Sequence, residues 1–243
     1  RLHIAVMTLF PEMFTALTDW GVTGRAFQMG VCSLHLQDPR DEATDRHGSV
    51  DDRPYGGGPG MGMQAPVLSA SLSRAKAVVG NGAQVIALSP QGQKLDAHLA
   101  KQFAEASSLI LVAGRYEGLD ERFIQREVDL EVSIGDFVVS GGELPAMLLI
   151  DAIVRWIPGV VGHEASVAED SFSEGLLDCP HFTRPEVFEG ERVPDVLLSG
   201  DHAAIASWRR AQAIRRTLDR RPDLLSWEGV TDSDRQLLAK WDL

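Results

Sequence analysis

Three short stretches rich in glycine, proline and polar groups have the composition to hold a small molecule. They are SPQG at residues 89–92, GRYEG at 114–118 and SGGE at 140–143. Each follows an apolar, strand-like run: QVIAL at 84–88, LILVA at 109–113, and an extended stretch covering 130–134 and 137–139. Such turns expose successive backbone N–H groups, which can read a heterocycle edge or an anion without any side chain. The same residues also serve as plain turn chemistry where strands end. Their joint placement favours a site. In a parallel sheet, ligands bind beyond the carboxyl ends of the strands, and all three stretches lie there.

Other candidates are weaker. The run DDRPYGGGPGMGM at 51–63 is not a phosphate loop, because no Gly-Lys-Ser/Thr follows. Its spacing is not GxGxxG, and no buried strand precedes it. It reads either as a surface loop or as backbone amides that meet a substrate together with Asp51, Asp52 and Arg53. Arg155 sits near the end of a helix, where a cation meets the helix dipole favourably. Asp170, in AEDSF, has the ordinary roles of an N-cap or a solvated loop acid. His181 follows Cys179 at CxH spacing, but with no second ligand pair a zinc site is a poor reading. Arg209, Arg210, Arg215, Arg216, Arg220 and Arg221 lie within 13 residues, with Asp219 the sole acid among them. Positions 209, 216 and 220 share a helical face. They form either a solvated charged face or a phosphate-contacting one.

The elements that must position these groups follow from the apolar pattern. Residues 2–9, 31–36, 84–88, 109–113 and 130–134 read as strands. Residues 11–20, 65–79, 95–106, 120–127 and 144–157 read as helices. Strands alternating with helices imply an α/β domain with a mostly parallel sheet. Residues 160–175 turn polar and acidic and read as a linker or lid. Beyond them no strand pattern is visible, and 207–221 and 232–243 read as helices of a small helical domain.

Composition narrows the class. Hydrophobic residues make up 44% and charged residues 24% of 243, enough to bury a core. The formal charge of −12 argues against a wholly basic nucleic-acid coat, but leaves room for a local basic face. Two cysteines, Cys32 and Cys179, make no CxxC pair and argue against a disulfide scaffold. No apolar run approaches the roughly 20 residues that span a bilayer, and the expected location is the reducing cytoplasm with no membrane partner.

The chain resembles the bacterial tRNA (guanine-N1)-methyltransferases, the TrmD family of the SPOUT class. The stretches that carry the resemblance are LFPEMF, DDRPYGGGPGMGM, LSPQG, GRYEGLDERF, SIGDFVVSGGELPAM, IDAIVRWIPGV, EDSF, GLLDCPHFTRPEVFEG and VPDVLLSGDH. They run in order from residue 9 to 202, and their length makes them specific. The final helical segment matches in character more than in motif. The resemblance implies a trefoil-knotted S-adenosylmethionine-binding domain over residues 1–159, a flexible linker or lid over 160–175, and a helical tRNA-binding domain over 176–243. It implies a homodimer with a shared active site, 1-methylguanosine formation at guanosine-37 beside the anticodon, and dependence on Mg²⁺.

Carried over by motif, the donor pocket takes Leu88, Ser89, Pro90, Gln91 and Gly92 from the first stretch, and Gly114, Arg115, Tyr116 and Glu117 from the second. The third contributes Ser133, Ile134, Gly135, Phe137, Val138, Val139, Gly141, Gly142 and Pro145. The resemblance implies Asp170 as general base on guanine N1 and Arg155 as its partner near O6. Asp51, Arg209, Arg210, Arg215 and Arg216 are the expected tRNA contacts, and Glu117 or Asp170 the expected metal ligand. Two other classes compete. A Rossmann-type oxidoreductase needs the GxGxxG loop that is missing. A non-catalytic RNA-binding module needs neither three pocket stretches nor an acid at 170.

Overall fold

The computed structural model describes residues 1–115 and 118–243. It divides into two compact units, Arg1–Gly162 and His163–Leu243.

The first unit is built on five strands: β1 (Leu2–Met7), β2 (Cys32–Gln37), β5 (Gln84–Lys94), β6 (Ser108–Val112) and β7 (Leu130–Ser133). Their order is β2-β1-β6-β5-β7, and every pairing is parallel. A short antiparallel hairpin, β3 (Asp51–Asp52) and β4 (Gly62–Met63), lies outside this sheet.

Both faces of the sheet are buried, which explains the unbroken apolar runs in its strands. The period of two sorts their residues. Ile4, Val6, Ile86, Leu109 and Leu111 point to one core, and Ala5, Met7, Val85, Ile110 and Val112 to the other. Against the first core pack residues from α1 (Thr15–Thr18), α2 (Gly21–Met29), α4 (Ala97–Ala104) and α6 (Glu143–Val154). Against the second pack α3 (Ala65–Val79) and α5 (Glu121–Glu127). Cys32 lies in the first core, where burial pushes its thiol up to about 11 against the opposing charge of Arg1.

The elements of the first unit fall close to their expected positions, with three instructive differences. The helix expected over 11–20 is a 3-10 turn (Pro11–Phe14) running into α1, and a further helix, α2, follows it. Glycines at 21 and 24 hide α2 from a propensity reading. Gly24 is there because the Thr18 carbonyl oxygen would lie 3.1 Å from a Cβ. Next, SPQG is not a simple strand-to-helix loop. Leu88 and Gln93 both align with Val132, so residues 89–92 bulge out of one long strand that resumes at Gln93. Last, β7 stops at Ser133, and Phe137, Val138 and Val139 are exposed and outside any strand.

The second unit holds α7 (Glu164–Ala168), α8 (Asp195–Leu198), α9 (His202–Arg220) and α10 (Asp232–Lys240). It also holds a ribbon, β8 (Val187–Phe188) and β9 (Glu191–Arg192), with two residues a side, too short to show an alternating pattern. Ala211 and Ile214 of α9 pack with Val230 and with Leu238 of α10. The Trp241 indole donates to Ser207 Oγ at 2.9 Å, tying the end of the chain to α9.

Candidate functional site

The strand order β6-β5-β7 sets three carboxyl ends side by side, and a cavity of about 350 Å³ opens there. That is within the range of small-molecule sites, roughly 300–1,000 Å³. Leu88, Ser89, Pro90 and Gln91 form one wall, from the β5 bulge. Gly114 and Arg115 come from the end of β6. Ser133, Ile134, Phe137, Val138, Val139, Gly141, Gly142 and Pro145 complete it after β7. Tyr116 and Glu117, expected here, lie outside the described residues.

Gly92 and Gly135 do not line the cavity but shape its walls. A Cβ on Gly92 would overlap the Glu131 and Val132 backbone, so the bulge can return to β7 only through glycine. Gly135, at φ 149°, closes a turn in which its N–H donates to Ser133 Oγ at 3.1 Å and its carbonyl accepts from that hydroxyl at 2.9 Å.

Other lining residues were not among the expected site residues. Glu121 and Ile124 reach the cavity from α5, and Glu131 reaches it from β7. The usable signal was periodicity: 121 and 124 share a helical face, and Glu131 alternates with the core residue Val132. Asp120 caps α5, accepting from Arg122 N–H at 2.8 Å, and the Arg122 side chain holds its carboxyl below the usual range. The cap fixes where α5 starts and thus where Glu121 sits.

The Arg115 side chain is tightly placed. Its Nε donates to Glu143 Oε1 at 3.0 Å, and Glu143 is fully buried. Its guanidinium lies 4.5 Å from the Phe10 ring centre. A Cβ on Gly141 would overlap it. The hairpin is tied to the same wall. Met63 N–H donates to the Gly118 carbonyl and Asp120 N–H to the Met63 carbonyl, both at 2.9 Å. The glycine run at 56–60 is therefore the turn of β3–β4, with Asp51 at the first position of β3 and Tyr55 fully exposed.

The remaining candidates are not among the described residues that line this cavity. Arg155 is the C-cap of α6 in the first unit, and Asp170 follows α7 in the second. On α9, Arg210 pairs with Asp234 at 3.2 Å and Arg215 with Asp219 at 2.6 Å. Arg209 and Arg216, with Arg220, form no ion pair among the described residues, and they share one face. Trp208, Ala211, Ile214 and Thr217 are buried on another.

Comparison with known proteins agrees with this architecture. The family model described as tRNA (Guanine-1)-methyltransferase TrmD matches residues 2–227. A tRNA (guanine-N(1)-)-methyltransferase of Shewanella denitrificans is 60% identical over 240 residues, covering 99% of this chain and 97% of its own. Its counterpart in Pectobacterium carotovorum is 58% identical, covering 99% and 96%. That of Escherichia coli O139:H28 is 59% identical, covering 99% and 94%. With a parallel sheet, a cavity at its carboxyl edge and likeness over nearly its whole length, the chain belongs to the tRNA (guanine-1)-methyltransferase TrmD family.

Proposed function

We propose that this protein transfers a methyl group from S-adenosylmethionine to N1 of guanosine-37 in tRNA. The observation that carries the reading is the cavity at the joined ends of β5, β6 and β7 in a chain of this family. Its residues fit the donor: the walls are backbone-rich turns with apolar patches at Leu88, Ile134 and Pro145, suited to an adenosine. When bound, the sulfonium supplies a methyl group that is already electrophilic.

The protein's task lies on the guanine side. Neutral guanine carries a proton on N1, so no lone pair is free for in-line attack. Asp170 takes that proton as general base, and Arg155 donates to O6 as negative charge develops there. Residues 160–175, which include α7, act as a lid that closes over a base flipped out of its stack. Residues 1–159 serve as the donor-binding domain with a trefoil knot, and 176–243 as the tRNA-binding domain. The division of the fold near Gly162 supports that arrangement.

The active unit is a homodimer. In support, α6 presents Leu144 and Leu148, four residues apart and more than half exposed, and Phe10 and Trp20 are exposed as well. Acting on tRNA places the enzyme in the cytoplasm, and among the described residues no helix is long and apolar enough to cross a membrane.

Of the residues expected to hold Mg²⁺, Glu117 lies outside the described residues, and Asp170 belongs to no cluster with metal-ligand spacing among the described ones. The one group among the described residues with metal-ligand spacing is Asp178, Cys179 and His181, whose ligand atoms lie within 4.8 Å of one another. Mg²⁺ takes oxygen ligands, and this set offers one carboxylate beside a sulfur and an imidazole. Burial works to raise the Asp178 pKa, but hydrogen bonds from His181 and the Cys179 N–H prevail and hold the carboxyl low. Burial raises the Cys179 thiol.

The deciding experiment is a methyl-transfer assay on tRNA transcripts with guanosine or adenosine beside the anticodon. Labelling should require the guanosine. Equal labelling of both transcripts would reject the specificity.

The α9 arginines give a second prediction. Removing charge at Arg209, Arg216 and Arg220, which have no internal ion pair among the described residues, should weaken tRNA binding. It should also flatten the salt dependence by roughly 0.7–0.9 in log–log slope for each phosphate that is no longer neutralised. Removing Arg210 or Arg215, already paired with acids, should flatten it less. An unchanged slope in the triple variant shows that this face is merely solvated.

A further inference from the structure

We propose that Arg115 receives the α-carboxylate of the methyl donor, and that Glu143 is the positioning residue that aims the Arg115 guanidinium into the cavity. The proposal rests on the donor-pocket reading above and assigns one end of the donor to one wall.

Charge distinguishes the walls. Among the described lining residues, Arg115 is the only cation, and Glu121 and Glu131 are the acids. The donor carries one anionic group, its α-carboxylate, along with an ammonium and a sulfonium. Turned towards Glu121 or Glu131, the carboxylate meets like charge. Turned towards Arg115, it gains charge-assisted hydrogen bonds in a fork geometry.

The guanidinium is held but not used up. Nε is committed to Glu143 at 3.0 Å. The planar face is covered by Phe10. Among the described residues, the outer edge meets only the Ser140 carbonyl, at 3.5 Å from Nη1, and the Met13 sulfur, at 3.9 Å from Nη2. Both contacts are long for a charged donor, so Nη1 and Nη2 keep hydrogen-bonding capacity in a residue that lines the cavity. Gly141 is needed for this pose, because any Cβ there displaces the guanidinium.

Glu143 is costly where it sits. Its side chain is fully buried at the first position of α6, where the helix dipole favours an anion. Yet Oε2 accepts no hydrogen bond among the described residues. A buried carboxylate with one oxygen unsatisfied destabilises the fold relative to an apolar residue of similar size. Its use is to fix a cation that would otherwise swing along the cavity rim.

The test is calorimetry on the full-length protein with two ligands: S-adenosylhomocysteine, and its decarboxylated analogue that keeps the ammonium. Arg115→Gln and Glu143→Gln should each weaken S-adenosylhomocysteine about tenfold or more and leave the analogue within about twofold of the parent. Glu143→Gln keeps the shape and an acceptor for Nε, so its effect isolates the charge. If that variant does not fold, Glu143→Asp takes its place in the same titration. Equal losses for both ligands overturn the proposal, because a merely structural role does not discriminate between them. A parent protein that binds the two equally overturns the carboxylate assignment alone. A parent that binds neither overturns the donor-pocket reading.

Discussion

Replacing Asp170 with Asn is expected to stop methyl transfer while leaving donor affinity unchanged. Asparagine preserves the shape of the side chain but cannot take the N1 proton of guanine. The backbone bonds that hold this position, Asp170 N–H to the Val167 carbonyl at 3.3 Å and Ser173 N–H to the Asp170 carbonyl at 3.2 Å, do not involve the carboxylate. A positioned general base contributes typically about 10²–10⁴-fold, so the single-turnover rate should fall by that factor. Donor affinity should hold because the cavity is built wholly within Arg1–Gly162, and Asp170 belongs to the second unit. The measurements are single-turnover transfer to tRNA and titration with S-adenosylhomocysteine. Transfer near the parent rate removes Asp170 as the base. Loss of donor affinity alongside the rate moves its role from chemistry to pocket assembly.

Much of this site was legible because it is made of backbone. SPQG, GRYEG and SGGE announce themselves by composition, and the parallel order of the sheet brings their described residues together. The sheet itself was legible because it is buried on both faces, so LHIAVM and SLILV are apolar almost without a break. What escaped was set by tertiary contact. No local pattern shows that residues 89–92 bulge out of one strand, since the reason is the approach of Gly92 to the β7 backbone, about 40 residues away in sequence. The helix α2 was hidden by glycines, of which Gly24 is justified by the turn it packs against. Glu143 belongs to a matched motif, yet only packing shows that it is wholly buried against Arg115, 28 residues earlier. The α9 arginines stand between these cases. Helical periodicity grouped 209, 216 and 220, but only the structure showed that Arg210 and Arg215 are already paired with acids.

Replacing Gly142 with Ala is the smallest change expected to close the cavity after β6 and β7. Gly142 N–H donates to the Gly114 carbonyl at 2.8 Å, which cinches the stretch after β7 against the stretch after β6. A Cβ at 142 would lie 2.7 Å from Ala113 Cα and 2.9 Å from Gly114 N. Both are backbone atoms at the end of a central strand and cannot swing aside as a side chain can. The clash must therefore separate two walls of the cavity or shift the start of α6, which carries Pro145 and Glu143. Overpacking of this kind costs about 1–3 kcal/mol, or roughly 2–12 °C in thermal midpoint for a chain of this size. The effect on ligand binding should be larger, because Gly114, Gly141 and Gly142 all line the cavity and the displacement is local to it. Affinity for S-adenosylhomocysteine should fall by at least about tenfold, since each 1.4 kcal/mol lost is a factor of ten. Gly82→Ala is the control: Gly82 has an ordinary φ, and nothing lies within 4 Å of its added Cβ. It should bind the ligand like the parent. If Gly142→Ala binds equally well, the two stretches are not held by this contact. The cavity would then owe its shape to the β5 bulge and the Gly135 turn instead.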